Sequence, residues 1–245
     1  MKPLLRAELL KLRTTRTFVV LTASALALSL LVVVLSTTLA DEWTEQDVRD
    51  LFTADFTGLF ILLLGVMGMA GEWRHRTITS TVLAAPKRLQ LLGAKTISYA
   101  AAGLVVSLIV TVTIMGVGTL ILAARDLPTV GLGELADVLW RNLVVAAFLG
   151  AFGVGIGGLV RNQIVAIVGL LILTFAVEPA IIGLAPDVGR FGPTSGAPNG
   201  LLGLDDPFGG DSEELSPAVA LLVLIGWVAL AYAAAAARLE RRDLV

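Results

Sequence analysis

The sequence predicts an all-α polytopic membrane protein of six transmembrane helices with both termini in the cytoplasm. Three observations carry that prediction. Hydrophobic residues make up 56% of the 245 positions, charged residues only 16%, and the mean hydropathy is +0.88. Ordinary soluble domains are about a quarter charged. Uncharged runs cover Thr17–Ala40, Thr96–Ala124, Asn142–Val160 and Leu215–Ala237, and roughly 20 apolar residues match the ~30 Å hydrocarbon core of a bilayer. Of the 18 Lys and Arg residues, 14 fall on one side of the implied topology. A soluble enzyme, a nucleic-acid-binding module and a disordered chain are excluded.

The spans lie at about 17–39, 52–71, 97–124, 143–160, 164–185 and 218–237, within a single transmembrane domain over 1–245. The first is longer than the 7–15 apolar residues of a signal-peptide core, so it is read as a retained span. The second carries Asp55 near its start and is clean only from Phe56 to Gly71. The fourth and fifth are separated only by Arg161-Asn162-Gln163, a tight hairpin, because irregular backbone exposed to lipid has no partner for its polar groups. Gly153 and Gly157 are spaced four apart and allow a neighbouring helix to approach closely.

Orientation follows from charge. With the N-terminus inside, segments 1–16, 72–95, 161–163 and 238–245 are cytoplasmic, and 40–51, 125–142 and 186–217 are external. The cytoplasmic bias of Lys and Arg is the stronger determinant; the acids of the three external loops agree with it. The location is therefore the inner (plasma) membrane, multi-pass. The external segment 186–217 is punctuated by five prolines yet carries Phe191, Leu201, Leu202, Leu204 and Phe208. It reads either as an exposed loop or as short interfacial or re-entrant pieces.

The chain is poor in catalytic chemistry. It has no cysteine and one histidine, His75, so disulfides, thiolate nucleophiles and multi-histidine metal sites are absent. No Gly-x4-Gly-Lys-Ser/Thr phosphate loop occurs. The glycine run 153–158 lies inside a span with no strand before it. Ser24, Ser29, Ser98 and Ser107 lie in spans, but no span carries a histidine or lysine to activate them. Catalytic and metal-ligating residues are thus expected to be none. Two acids, Asp55 and Glu178, do sit at or within spans, and intramembrane carboxylates mark function by default. Pro179 follows Glu178 and should break or kink the fifth span. Either both acids are hydrated or paired with Arg125, Arg141 or Arg190 at the outer interface, or they line an outward-facing substrate pathway.

The cytoplasmic ends carry the strongest signal. Residues 1–16 read as an interfacial helix with Leu5, Leu9 and Leu12 on one stripe and Lys2, Arg6 and Arg13 beside it; a plain basic flank explains the charges equally well. The loop 72–95 holds Glu72, Arg74, Arg76, Thr77, Ile78, Pro86, Arg88 and Lys95. Composition suits either a docking helix for a soluble partner or a positive loop with no partner.

With those residues in view, the chain resembles the membrane-spanning permease subunit of type-2 ATP-binding-cassette (ABC) transporters, in the style common in actinobacteria. The family pattern after the second span is an acid, Gly-Thr-Ile, a short apolar helix, Pro-x-Arg and a Lys. Glu72, Thr77-Ile78, Pro86, Arg88 and Lys95 match it, as does the opening Arg6-Ala-Glu8-Leu-Leu-Lys11-Leu-Arg13. The departure is Arg76, where the family has Gly. The resemblance implies a cytoplasmic coupling helix within 72–95 that meets a soluble P-loop ATPase. It further implies a second permease chain, as homo- or heterodimer, and ATP and Mg bound in the partner subunit with no cofactor in this chain. Export of an unidentified substrate is the implied activity, with no enzyme activity of the chain itself and no nucleic-acid partner. Two alternatives remain at this level: a non-transporting membrane anchor or sensor/immunity subunit, and an intramembrane lipid-modifying enzyme.

Overall fold

A segment with no water around it must satisfy its own backbone, so apolar runs of bilayer length become helices. The computed structural model describes residues 2–74, 88–160, 162–204 and 215–240, and every regular element among them is helical. In order these are α1 (Lys2–Thr14), α2 (Arg16–Leu39), α3 (Glu45–Thr53), α4 (Thr57–Arg74), α5 (Arg88–Ala124), α6 (Leu132–Leu159) and α7 (Gln163–Ile172). A π-helical turn over Leu173–Val177 follows, then α8 (Glu178–Leu184), α9 (Pro186–Gly189), α10 (Gly196–Leu202) and α11 (Pro217–Glu240). Six stretches are long and apolar enough to cross a membrane: α2, α3–α4, α5, α6, α7–α8 and α11.

The centre of the bundle is α6. In its most apolar stretch 67% of residues are buried, against 17% for α2 and for α7–α8. It packs on α4, α5 and α11. Glycine makes the α4–α6 approach: a Cβ at Gly65 would lie 2.5 Å from the Gly150 carbonyl oxygen, and one at Gly157 would lie 2.7 Å from that of Val66. Gly153 faces Leu62 in the same way. The spacing of Gly153 and Gly157 therefore marks a close helix crossing. Leu31, Leu104, Leu108, Leu222 and Leu230 point outward, a shell of apolar side chains suited to lipid.

Three element boundaries differ from the sequence reading. The second span does not run unbroken from 52. A capping box between Thr44 and Asp47 starts the separate α3, the chain opens over Ala54–Phe56, and α4 begins at Thr57. The third helix starts at Arg88 and not at 97, which places Lys95 inside α5, and α6 starts at Leu132 and not at 143. In both cases polar turns extend the helix beyond the apolar run, because a helix continues until a cap stops it. At 1.5 Å per residue α5 is about 55 Å long, well beyond the ~30 Å apolar core.

Pro179 acts as expected, by a specific route. Proline donates no N–H, and the ladder widens one residue before it: the Glu178 N–H bonds to the Leu173 carbonyl, five residues back. The segment beyond α8 is not a solvated loop over 186–204. Ala197 and Leu201 are buried, and α10 packs against α6 and α11 before Gly203 ends it at φ +71°.

Candidate functional site

Among the described residues, three polar clusters hold the candidate residues. At the end where α2 begins and α4 finishes, Glu8, Lys11, Glu72 and Lys95 join α1, α4 and α5. Lys95 Nζ donates to Glu8 Oε2 at 2.8 Å and to the Gly68 carbonyl at 3.2 Å, and is ion-paired with Glu72 Oε1 at 2.7 Å. Lys11 Nζ lies 3.0 Å from Glu8 Oε1 and 3.3 Å from Glu72 Oε1. Lys95 is 1% exposed, Glu8 3% and Glu72 7%. Charges so deeply buried persist only when paired. Burial alone would raise the Glu8 carboxyl; the Lys95 and Lys11 ammonium groups outweigh it and hold that carboxyl below its ordinary range.

The face that α1 turns to the bundle is therefore set by Glu8 and Leu12, which are buried, while Leu9 and Leu10 are exposed. The predicted leucine stripe is only part of the contact. The signal was available: Glu8 is the only acid among the first 40 residues. Tyr99 and Gln163 line the same region, and neither stands out in the sequence.

The predicted docking residues divide sharply. Glu72 faces inward, in the cluster just described. Arg74, the last residue of α4, is exposed. Arg88, the first residue of α5, donates from Nη1 to the Leu239 carbonyl at 2.7 Å and so ties α5 to the end of α11. Arg76, Thr77, Ile78 and Pro86 lie outside the described residues.

The second cluster surrounds the opening between α3 and α4. Asp55 Oδ1 accepts the Thr57 N–H at 2.8 Å, and Oδ2 accepts the Thr111 hydroxyl at 2.9 Å. Asn142 Nδ2 donates to the Phe52 carbonyl at 3.1 Å, and Ser29 Oγ accepts the Phe56 N–H at 3.1 Å. Side chains of α2 and α6 thus satisfy backbone at the opening between α3 and α4, and Thr111 of α5 holds Asp55, which takes up the Thr57 N–H, as irregular backbone within a membrane requires.

The third cluster is built on Glu178, 3% exposed. Its Oε1 accepts the Thr194 N–H at 2.9 Å and the Thr194 hydroxyl at 2.6 Å; its Oε2 accepts the Ser195 N–H at 2.6 Å and the Gly196 N–H at 3.3 Å. The π turn swings this carboxylate under the start of α10, where it takes up backbone donors that the short helix leaves over. Asp55 and Glu178 thus occupy separate clusters and are held by hydroxyl, amide and backbone donors. A cleft of about 550 Å³ lies beside Glu178, walled by Phe152, Ile181, Phe191 and Trp227.

Among the described residues there is no group of three or more His, Cys, Asp or Glu arranged to hold a metal. Comparison with protein-family models and with curated proteins finds no match to this chain.

Proposed function

We propose that the chain is the membrane-spanning permease subunit of a type-2 ABC transporter, an exporter whose ATP and Mg are bound and hydrolysed by a separate soluble subunit. Two permease chains and two ATPase chains form the working unit, in the plasma membrane, with both termini cytoplasmic. One observation carries the reading beyond the sequence motifs. The segment between α4 and α5 is clamped at both ends. Glu72 and Lys95 close its two flanks on each other at 2.7 Å, and the same pair takes hold of α1 through Glu8 and Lys11. Arg88 secures the start of α5 to the end of α11.

A loop anchored in this way suits force transfer. A push on it reaches α1, α4, α5 and α11 together, because its roots cannot yield independently. Arg74 is the exposed charge at the root, and Arg76 follows in sequence. In this reading Glu72 and Arg88 brace the docking element, and Arg74 and Arg76 meet the ATPase. Asp55 and Glu178 hold the walls of the substrate path in shape.

The test is charge reversal. Arg74→Glu with Arg76→Glu should weaken co-purification of the ATPase and leave membrane insertion intact. Undiminished recovery of the ATPase, with normal coupling, would contradict the docking assignment.

A further inference from the structure

A cavity of about 510 Å³ opens beside the charge cluster, bounded by α1, the start of α2, the last turns of α4, α5 and the first residue of α7. Two polar side chains in its lining, Gln163 and Tyr99, are more than nine-tenths buried. Gln163 is 6% exposed, and its Oε1 is unpaired. Tyr99 is 7% exposed, with its hydroxyl resting against Gly68. A buried acceptor left without a donor is costly, so the orphaned Gln163 oxygen beside open volume, with the buried Tyr99 oxygen near it, marks a place for a ligand's donor.

We propose that this cavity binds an amine-bearing zwitterion of the phosphoethanolamine type, supplied as a phospholipid headgroup. The charge count sets the class. Two carboxylates and two ammonium groups line the cavity, so an ion of either sign would bring an uncompensated charge into a largely apolar site. A zwitterion does not.

Hydrogen-bond capacity sets the orientation. An ammonium carries three donors. Those of Lys95 are taken by Glu8, Glu72 and the Gly68 carbonyl. Lys11 spends two on Glu8 and Glu72, and its side chain is 52% exposed at the mouth, which leaves one N–H for a phosphate oxygen. The ligand's ammonium goes inward, to Gln163 Oε1 and the Tyr99 oxygen.

Height sets the source. The cavity lies where the spans beginning at Arg16 and Gln163 start and the span closing at Arg74 ends, the level of the headgroups in a bilayer. Leu12, Phe18, Leu64 and Met67 give it an apolar side, suited to the first carbons of an acyl chain.

The inference does not depend on an ATPase, and its test uses none, so it fails or holds independently of the transporter reading. The full chain in detergent is incubated with phosphatidylethanolamine or phosphatidylglycerol, and retained lipid is counted by native mass spectrometry. The ethanolamine lipid should be retained at about tenfold lower concentration, the worth of one or two charge-assisted hydrogen bonds. Tyr99→Phe removes a single oxygen, and Gln163→Leu keeps the side chain's bulk. Each should abolish most of that preference while leaving the lipid-free unfolding temperature near the parent's. Free phosphoethanolamine is the second arm: competition with the lipid supports the headgroup as the recognised part. Binding of the free zwitterion without the lipid supports the same chemistry with a soluble source. Equal retention of the two lipids with no binding of free phosphoethanolamine, or a preference unchanged in both variants, would overturn the proposal.

Discussion

Lys95 concentrates the energetics of the inner cluster in one side chain. Truncating one member of a buried ion pair leaves the other charged and unpaired, at a cost of about 3–5 kcal/mol. Lys95→Met should therefore lower stability by that order, whereas Lys11→Met, half in solvent, should cost less than about 1 kcal/mol. Denaturant unfolding of the two variants checks this, and equal losses would show that the burial of Lys95 is not decisive. Glu8 adds a pH signature. Its folded pKa lies below the ordinary carboxylate value of about 4.3. Its stabilising contribution is thus complete above that value and is lost as the pH falls through the lowered one. The unfolding temperature should hold from neutral pH to about 5 and then fall, and Glu8→Gln should flatten that fall. A Glu8→Gln profile parallel to the parent's would exclude Glu8 as its source. Sequence alone showed Lys95 as the basic flank of a span. That its partner is Glu8, 87 positions away, depends on how α1 folds back, which no local pattern encodes.

At the level of elements, the sharpest test is the α4–α6 crossing. Gly153→Leu would drive a side chain into the Leu62 carbonyl and should destabilise the fold by about 1–3 kcal/mol or more. Gly226→Ala should be nearly neutral, because nothing lies within 4 Å of its Cβ position. Comparable folded yields for the two would contradict the close approach. The Glu178 cluster makes a second case. Glu178→Gln presents an amide NH2 to a nest of backbone N–H donors, so thermal stability should drop by about 1–3 kcal/mol. Loss of transport at unchanged stability would instead favour direct contact with substrate. The spans themselves were legible because apolar length is a one-dimensional signal. The opening at Ala54–Phe56 was not, since it is sustained by Ser29, Thr111 and Asn142 from three other helices. Pro179 announced a disturbance of the fifth span, but the π turn that aims Glu178 at α10 is a tertiary outcome.

For the whole molecule, the distribution of Lys and Arg predicts which end faces the cytoplasm. The chain has no cysteine, so single cysteines report cleanly. Cysteines at Glu42 and Thr129, both exposed, should react with an impermeant maleimide in intact cells, and one at Thr14 should react only after lysis. The reverse pattern would invert the topology. Six spans, the close glycine crossing and the candidate status of Glu72 could all be read from sequence. The division within the predicted docking set could not: Glu72 is buried against Lys11 and Lys95, whereas Arg74 is exposed. The central claim is that this chain works as the membrane half of an ATP-driven machine, and the intact mass of the complex extracted from its native membrane tests it most directly. The expected assembly is two permease chains with two soluble P-loop ATPase chains. A chain that leaves the membrane alone, or bound only to partners without a nucleotide-binding subunit, would contradict it.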